Sequence, residues 1–204
     1  YTSPVIETIK KLNGTQLTLS KTDYKSLTIN YNRFFKPDSS IVKYGSNAPR
    51  TTKKYVEYDS NGHLVTELQN GIIPTTYIYD HTGNFMVAKV VNATKNEIAF
   101  EDFEISPAID YPNTVGAGHS GSHYYTRFYT PVFNVPNGRS YVISDWYHIS
   151  GNVWKYAKMP YPSLSYSSIY PNTANALDDV LIYPADAQVT TYGYDLLAGV
   201  TNLT

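Results

Sequence analysis

The sequence predicts an all-β protein, an antiparallel sheet of hairpins interrupted by an inserted β-sandwich, and three observations point there. Apolar residues rarely fall at helical spacing, whereas short alternating runs are punctuated by 12 Gly and 12 Pro. Tyrosine reaches 21 of 204 residues, and it joins high β propensity to a ring that packs and a hydroxyl that hydrogen-bonds. A frame Tyr-x-Tyr-Asp followed by glycine also recurs, as Tyr77-Ile78-Tyr79-Asp80-His81-Thr82-Gly83 and as Tyr192-Gly193-Tyr194-Asp195 with Gly199 beyond it. Tyr55-Val56-Glu57-Tyr58-Asp59-Ser60-Asn61-Gly62 is a degenerate third copy.

Each copy has the mechanics of a hairpin. Alternating Tyr, Thr and Val suit a pleated strand, and Asp followed by Gly supplies the side-chain acceptor and positive φ that reverse it. Asp59 and Asp80 lie 21 residues apart, the length of one hairpin with its connection, while Asp195 comes 115 residues after Asp80. Such a period marks a repeat, and the long gap marks an insertion.

Taken in order, strands are expected at Val5 to Lys10, Gln16 to Ser20 and Ser26 to Arg33. Asn13-Gly14 and the polar stretch at Thr22-Asp23 separate them. Residues 53–68 and 75–92 form the repeat pair, with turns at Asn61-Gly62 and Thr82-Gly83-Asn84. The hairpin region thus covers 1–95, the inserted module 96–185 and the resumed repeat strand 186–204. The insert opens with Ile98-Ala99-Phe100-Glu101-Asp102-Phe103-Glu104 and closes with Ala176-Leu177-Asp178-Asp179-Val180-Leu181-Ile182-Tyr183. Those end strands are expected to pair or neighbour one another, which leaves the host sheet intact. The start at Tyr1-Thr2-Ser3-Pro4 and the stop just after a repeat has begun suggest a segment of a longer chain.

Composition excludes several classes. Sixteen basic side chains nearly balance 17 acidic ones with no basic cluster beyond Lys10-Lys11 and Lys53-Lys54, so nucleic acid is not an expected partner. With no cysteine, disulfides, thiol catalysis and thiolate zinc sites are ruled out. No run approaches 18 apolar residues, so no membrane-spanning helix is expected.

The run from Tyr55 to Thr94, with Gly71-Ile72-Ile73-Pro74-Thr75-Thr76-Tyr77-Ile78-Tyr79-Asp80 and Ala88-Lys89-Val90-Val91-Asn92-Ala93-Thr94, resembles the RHS/YD-repeat proteins of Bacteroidota. So does Ala187-Gln188-Val189-Thr190-Thr191-Tyr192-Gly193-Tyr194-Asp195-Leu196-Leu197-Ala198-Gly199-Val200-Thr201. The middle, with Ser120-Gly121-Ser122, Tyr141-Val142-Ile143-Ser144-Asp145-Trp146-Tyr147 and Leu177-Asp178-Asp179-Val180, is similar to the jelly-roll, carbohydrate-binding-like modules inserted in such proteins. The resemblance implies a bacterial secreted or cell-surface protein whose repeats build a β shell and whose partners are the rest of the parent repeat protein and a polysaccharide or glycan. This chain departs from the pattern in having too few repeats to close a shell, no polymorphic C-terminal effector and a short inserted module.

The richest local constellation is Tyr141 to Met159. With Gly151-Asn152 as a two-residue turn, alternation pairs Ile149 with Trp154, Tyr147 with Tyr156 and Asp145 with Lys158 on one face. Val142, Trp146, Val153, Ala157 and Met159 then fall on the other face, as core. The first set would offer flat rings for sugar C–H faces and polar groups for hydroxyls. The bland alternative packs these rings under a loop or against the repeat sheet, and a one-residue slip would exchange the two faces. Among the acids of the end strands, Glu104 and Asp179 are, by analogy with jelly rolls, the pair that would hold a structural calcium; solvated outward positions are the alternative. No cofactor is otherwise required.

Catalysis finds little support. Gly118-His119-Ser120-Gly121-Ser122 has the wrong spacing for a nucleophile elbow, and His119 with His123 lacks a third ligand at metalloprotease distance. The expectation is a non-catalytic structural or binding segment with glycan binding through Tyr147, Trp154 and Tyr156, assisted by Asp145 and Lys158. Two rivals remain, a purely structural or protein-interaction segment and a polysaccharide hydrolase.

Overall fold

The computed structural model describes residues 6–29, 31–104, 113–115, 118–126, 133–136, 138–148, 153–161, 176–195 and 199–203. The fold is all-β and antiparallel; a single turn of 3-10 helix, Lys95–Glu97, is the one helical element among the described residues. The chain divides into two compact units, residues 1–77 and 78–204. The division falls between Tyr77 and Ile78, so the second Tyr-x-Tyr-Asp turn belongs to the unit that also holds the insert, ahead of the expected boundary near residue 95.

The first unit is a meander of strands β1 (Glu7–Leu12), β2 (Thr15–Ile29), β3 (Asn32–Tyr44), β4 (Arg50–Tyr58), β5 (Leu64–Gln69) and the start of β6 (Ile73–Tyr79), each paired with the next. Asn13-Gly14 makes the first hairpin as its chemistry requires, both residues taking positive φ. The expected break at Thr22-Asp23 is absent, and β2 runs straight through it. Both faces of this part of the sheet are at least partly exposed, so polar side chains fit either one. Asp23 is met by Lys21 at 2.7 Å and by the Ser39 hydroxyl. Pro37, which cannot donate to the ladder, sits at a bulge that sets Asp23-Tyr24 against Pro37 to Ser39.

Burial in this unit gathers at β5 and β6, on Val65, Thr66, Glu67, Thr75 and Thr76. Glu67 is 1% exposed and compensated, taking Lys53 Nζ at 3.0 Å and the Tyr77 hydroxyl at 3.2 Å. At the Asn61-Gly62 turn, Asp59 accepts the Asn61 and His63 N–H groups at 2.8 Å each, which explains its place in the repeat.

The second unit holds the end of β6, then β7 (Met86–Val91), β8 (Ala99–Glu101), β9 (Asn113–Val115), β10 (His123–Tyr125), β11 (Tyr141–His148), β12 (Lys155–Tyr161), β13 (Ala176–Pro184), β14 (Gln188–Asp195) and β15 (Gly199–Leu203). Asp80 repeats the staple seen at Asp59, accepting Asn84 N and Phe85 N at 2.8 Å each together with the Thr82 hydroxyl. After the excursion the chain returns beside the strand it left. β14 pairs with β7, Gln188 opposite Val91 and Thr191 opposite Ala88. The end strands of the insert also meet, β8 pairing with β13 at Ala99–Ile182 and Glu101–Val180. Arg139 clasps the neck, bonding Glu97, the Asn92 carbonyl and the Asp186 carboxylate.

The inserted sheet runs β12-β11-β13-β10-β9, with β8 sharing the β10 edge of β13. Alternation along β13 divides its core in two. Leu181 and Tyr183 pack with Val142, Phe100, Val90 and Val189 against β7 and β14, a sandwich-like contact. Val180 and Ile182 face the other way, into a cluster with Phe103, Tyr125, Tyr141, Ile143 and Leu177. Leu177 and Val180 share a face although they are three apart. The cause is a bulge: Ser144 opposes Leu181 and Trp146 opposes Asp178, so three residues of β13 span two of β11, with Asp179 at φ 49°.

Candidate functional site

The bulge places two adjacent carboxylates where β13 changes neighbour, between Val180 on β8 and Leu177 on β10. The segment Gly118–His123 lies against them. Asp178 Oδ2 accepts the His119 and Ser120 N–H groups at 2.8 and 3.1 Å, and its Oδ1 accepts the N–H of Asp179. Asp179 meets His119 Nδ1 at 2.6 Å and accepts the Ser120 hydroxyl at 2.6 Å. Glu104 holds the other end, accepting Ser122 N at 2.7 Å, His123 N at 2.6 Å and the Ser122 hydroxyl, with His123 Nδ1 at 3.1 Å. Three acids thus brace six residues of loop.

Only glycine fits at two positions of that loop. A Cβ on Gly118 would meet the His123 carbonyl at 2.5 Å and Asp178 Oδ2 at 2.9 Å; one on Gly121, whose φ is +65°, would meet Glu104 Cδ at 2.5 Å.

The acids differ electrostatically. Burial pushes Asp178 up to about 9, reinforced by the charge of Asp179 and opposed by the three N–H donors. Burial acts in the same sense on Glu104, but the His123 imidazole, the His123 and Ser122 N–H groups and the Ser122 hydroxyl outweigh it and hold that carboxyl below its usual range.

The loop carries His119 onto Trp146. Their rings are parallel within 10° and 3.8 Å apart. Around them stand Trp154, edge-on to His119 at 6.0 Å, to His148 at 4.8 Å and to Tyr124 at 6.1 Å, and Tyr156, 5.6 Å from Trp146. Most of these rings are half-buried, while Tyr156 is 53% exposed and Lys158 is exposed beside it. Burial raises the Tyr156 hydroxyl above its usual pKa, with the Ser144 hydroxyl acting against the rise.

The register decides which of the expected site residues meet. β11 and β12 pair Trp146 with Tyr156, Ser144 with Lys158 and Asp145 with Ala157, one residue away from the expected register. Trp154, Tyr156 and Lys158 therefore join Trp146, which alternation had assigned to the core. Tyr147 turns to the opposite face, against the Phe103–Ile182 cluster, and Asp145 is 1% exposed. The expected Asp145–Lys158 pair does not form; Lys158 Nζ stands 5.1 Å over the Tyr183 ring. A strand side chain has a period of two, so one step exchanges the whole set. Ile149 and the Gly151-Asn152 turn lie outside the described residues.

Glu104 and Asp179 brace opposite ends of the same loop, and their oxygens receive its N–H, hydroxyl and imidazole groups. Among the described residues no group of three or more His, Cys, Asp or Glu side chains that could hold a metal ion is found. Sequence reasoning assigned Trp146 to the core, weighed His119 only in nucleophile and metal readings, and passed over Tyr124 and His148. The signal for His119 was available, two glycines bracketing a His-Ser pair and acids waiting on both end strands of the insert.

Fold and site together define an all-β protein with a half-exposed aromatic shelf on one sheet and a carboxylate-braced loop laid across it. No family model, curated protein or solved structure matches the chain.

Proposed function

We propose that the chain is a non-catalytic binding and structural segment of a secreted or cell-surface repeat protein of the RHS/YD type, and that its inserted module reads a glycan. The observation that carries this reading is the grouping of Trp146, Trp154 and Tyr156 on one face with exposed Lys158 at its rim. Exposed Tyr156 and half-buried Trp154 offer ring surface to sugar C–H groups, while His119 covers one face of Trp146, and the neighbouring Lys158 nitrogen suits hydroxyls. Asp178 supports the non-catalytic side of the proposal. Its pKa is raised as a general acid's would be, yet it is 0% exposed and both oxygens are engaged by backbone N–H groups, so it braces the loop and presents no oxygen to a substrate. No helix among the described residues is long and apolar enough to cross a membrane.

A glycan-array screen of the purified chain against the Trp154→Ala/Tyr156→Ala variant, in calcium and in chelator, tests the reading. Binding lost in a variant with an unchanged circular dichroism spectrum supports it. Binding retained by that variant, or none by the parent chain at high concentration, defeats it. Dependence on calcium would support Glu104 and Asp179 as ligands of a structural ion.

A scaffold or protein-interaction role has its own observation in the first unit. Every residue of β1 is exposed, including Ile9 and Leu12, and it ends the order of paired strands.

A further inference from the structure

Among the described residues no strand pairs with the outer edge of β1. Its inner edge is fixed at both ends. The Ile6 carbonyl accepts the Thr22 N–H at 2.8 Å, and Leu12 faces Thr15 across the two-residue Asn13-Gly14 turn. The one register shift in this ladder, between Lys10 and Lys11, puts the extra residue, Leu17, on β2, so alternation along β1 directs the backbone groups of Ile6, Thr8, Lys10 and Leu12 toward β2 and those of Glu7, Ile9 and Lys11 outward. An outward row of this kind is a template for another strand.

The side chains along this edge are complementary to their own reversal. Set antiparallel to a second copy with Ile9 on the two-fold axis, β1 places Glu7 opposite Lys11, Thr8 opposite Lys10, Ile9 opposite Ile9 and Ile6 opposite Leu12. The outward residues Glu7, Ile9 and Lys11 become the hydrogen-bonded pairs. No like charges face one another, and the exposed apolar side chains of Ile6, Ile9 and Leu12 each gain an apolar neighbour. A two-residue slip one way sets Lys10 against Lys10; the other way it leaves both Glu–Lys pairs unmade. Lysine on an edge strand ordinarily repels arbitrary partners, but in this register each finds glutamate or threonine.

We propose that β1 is a self-association edge, through which two copies of this chain join by antiparallel pairing about Ile9. The symmetry is that of an isologous dimer, in which one patch serves both subunits. One strand pair covers less than a standard interface of about 1,200–2,000 Å², so the dimer forms and dissociates with concentration. This edge lies in the first unit and is independent of the glycan reading.

Sedimentation equilibrium of the intact chain from micromolar to submillimolar concentration tests it. A monomer–dimer equilibrium is expected, with Ile9→Pro, which removes an outward N–H and none bonded to β2, giving a monomer of unchanged circular dichroism. Glu7→Lys and Lys11→Glu each raise the dissociation constant about tenfold, two pairs per dimer turning repulsive, and the double exchange restores it. The chain has no native cysteine, so Ile9→Cys should cross-link across the axis while Thr8→Cys, which only a slipped register would bring to the axis, stays reduced. A monomer at every concentration overturns the proposal. So does a dimer that survives Ile9→Pro, a double exchange without rescue, or preferential cross-linking through Thr8→Cys; the last three assign the contact to another surface or register.

Discussion

The His119 imidazole lies flat on the Trp146 indole, ring centres 3.8 Å apart, while its Nδ1 is held 2.6 Å from Asp179. These residues come from a loop, a strand and a bulge on the neighbouring strand, so the stack reports whether the whole brace is assembled. His119→Ala removes the stack and the Asp179 contact together. A loss of about 1–3 kcal/mol in denaturant unfolding is expected, with a change in tryptophan emission in the native state. An unchanged spectrum would show that His119 does not rest on Trp146 in solution.

Gly121→Ala should cost more than an ordinary glycine replacement. Gly71 also has positive φ, at +73°, but open space around it, so Gly71→Ala carries backbone strain alone, about 1 kcal/mol. At Gly121 the same strain is joined by collision with Glu104, and about 2–4 kcal/mol is expected. Equal costs for the two variants in urea denaturation would remove the close approach from the account.

Asp178 and Glu104 brace one loop with opposite pH signatures. The folded state raises Asp178 above its unfolded value, so between about pH 4 and about pH 9 the folded chain keeps a proton that the unfolded chain has released, and the contribution of Asp178 to stability falls as pH rises. Glu104 is lowered, so its contribution is present above the unfolded value near 4.5 and is lost as pH falls through the folded pKa. Stability measured against pH should therefore decline less steeply through neutral pH in Asp178→Asn than in the parent chain, and the acid limb alone should flatten in Glu104→Gln. Superimposable pH profiles for parent and Asp178→Asn would mean that Asp178 is ionised at neutral pH.

The repeat aspartate is a turn staple. Asp80→Ala leaves the Phe85 N–H without its acceptor and the Asn84 N–H with only the longer bond to the Thr82 hydroxyl, and is expected to cost about 1–2 kcal/mol. Hydrogen exchange should localise the effect, accelerating at Asn84 and Phe85 while Asn61 and His63, held by Asp59, keep their protection. Acceleration at both turns would show that the staples do not act locally.

What the sequence determined by itself is local. Asn13-Gly14, Asn61-Gly62 and the Asp80 turn are reversals because positive φ and a side-chain acceptor are properties of a few adjacent residues. The pairing of the insert's two end strands followed from their matching patterns, and β strands throughout followed from alternation and tyrosine. The phase of those strands was another matter. Whether Trp146 or Tyr147 shares a face with Tyr156 depends on a register between β11 and β12 whose connecting turn the residues alone did not fix. The extra residue at Asp179 shifts the phase of β13 again, through a bulge that only pairing with β11 reveals. The brace on Gly118–His123 joins Ser122 to Glu104, 18 residues away in sequence, and His119 to Asp178, 59 residues away. Side chains alternate with a period of two, so a single-residue shift set by distant pairing decides which rings form the shelf, and that choice belongs to the tertiary structure.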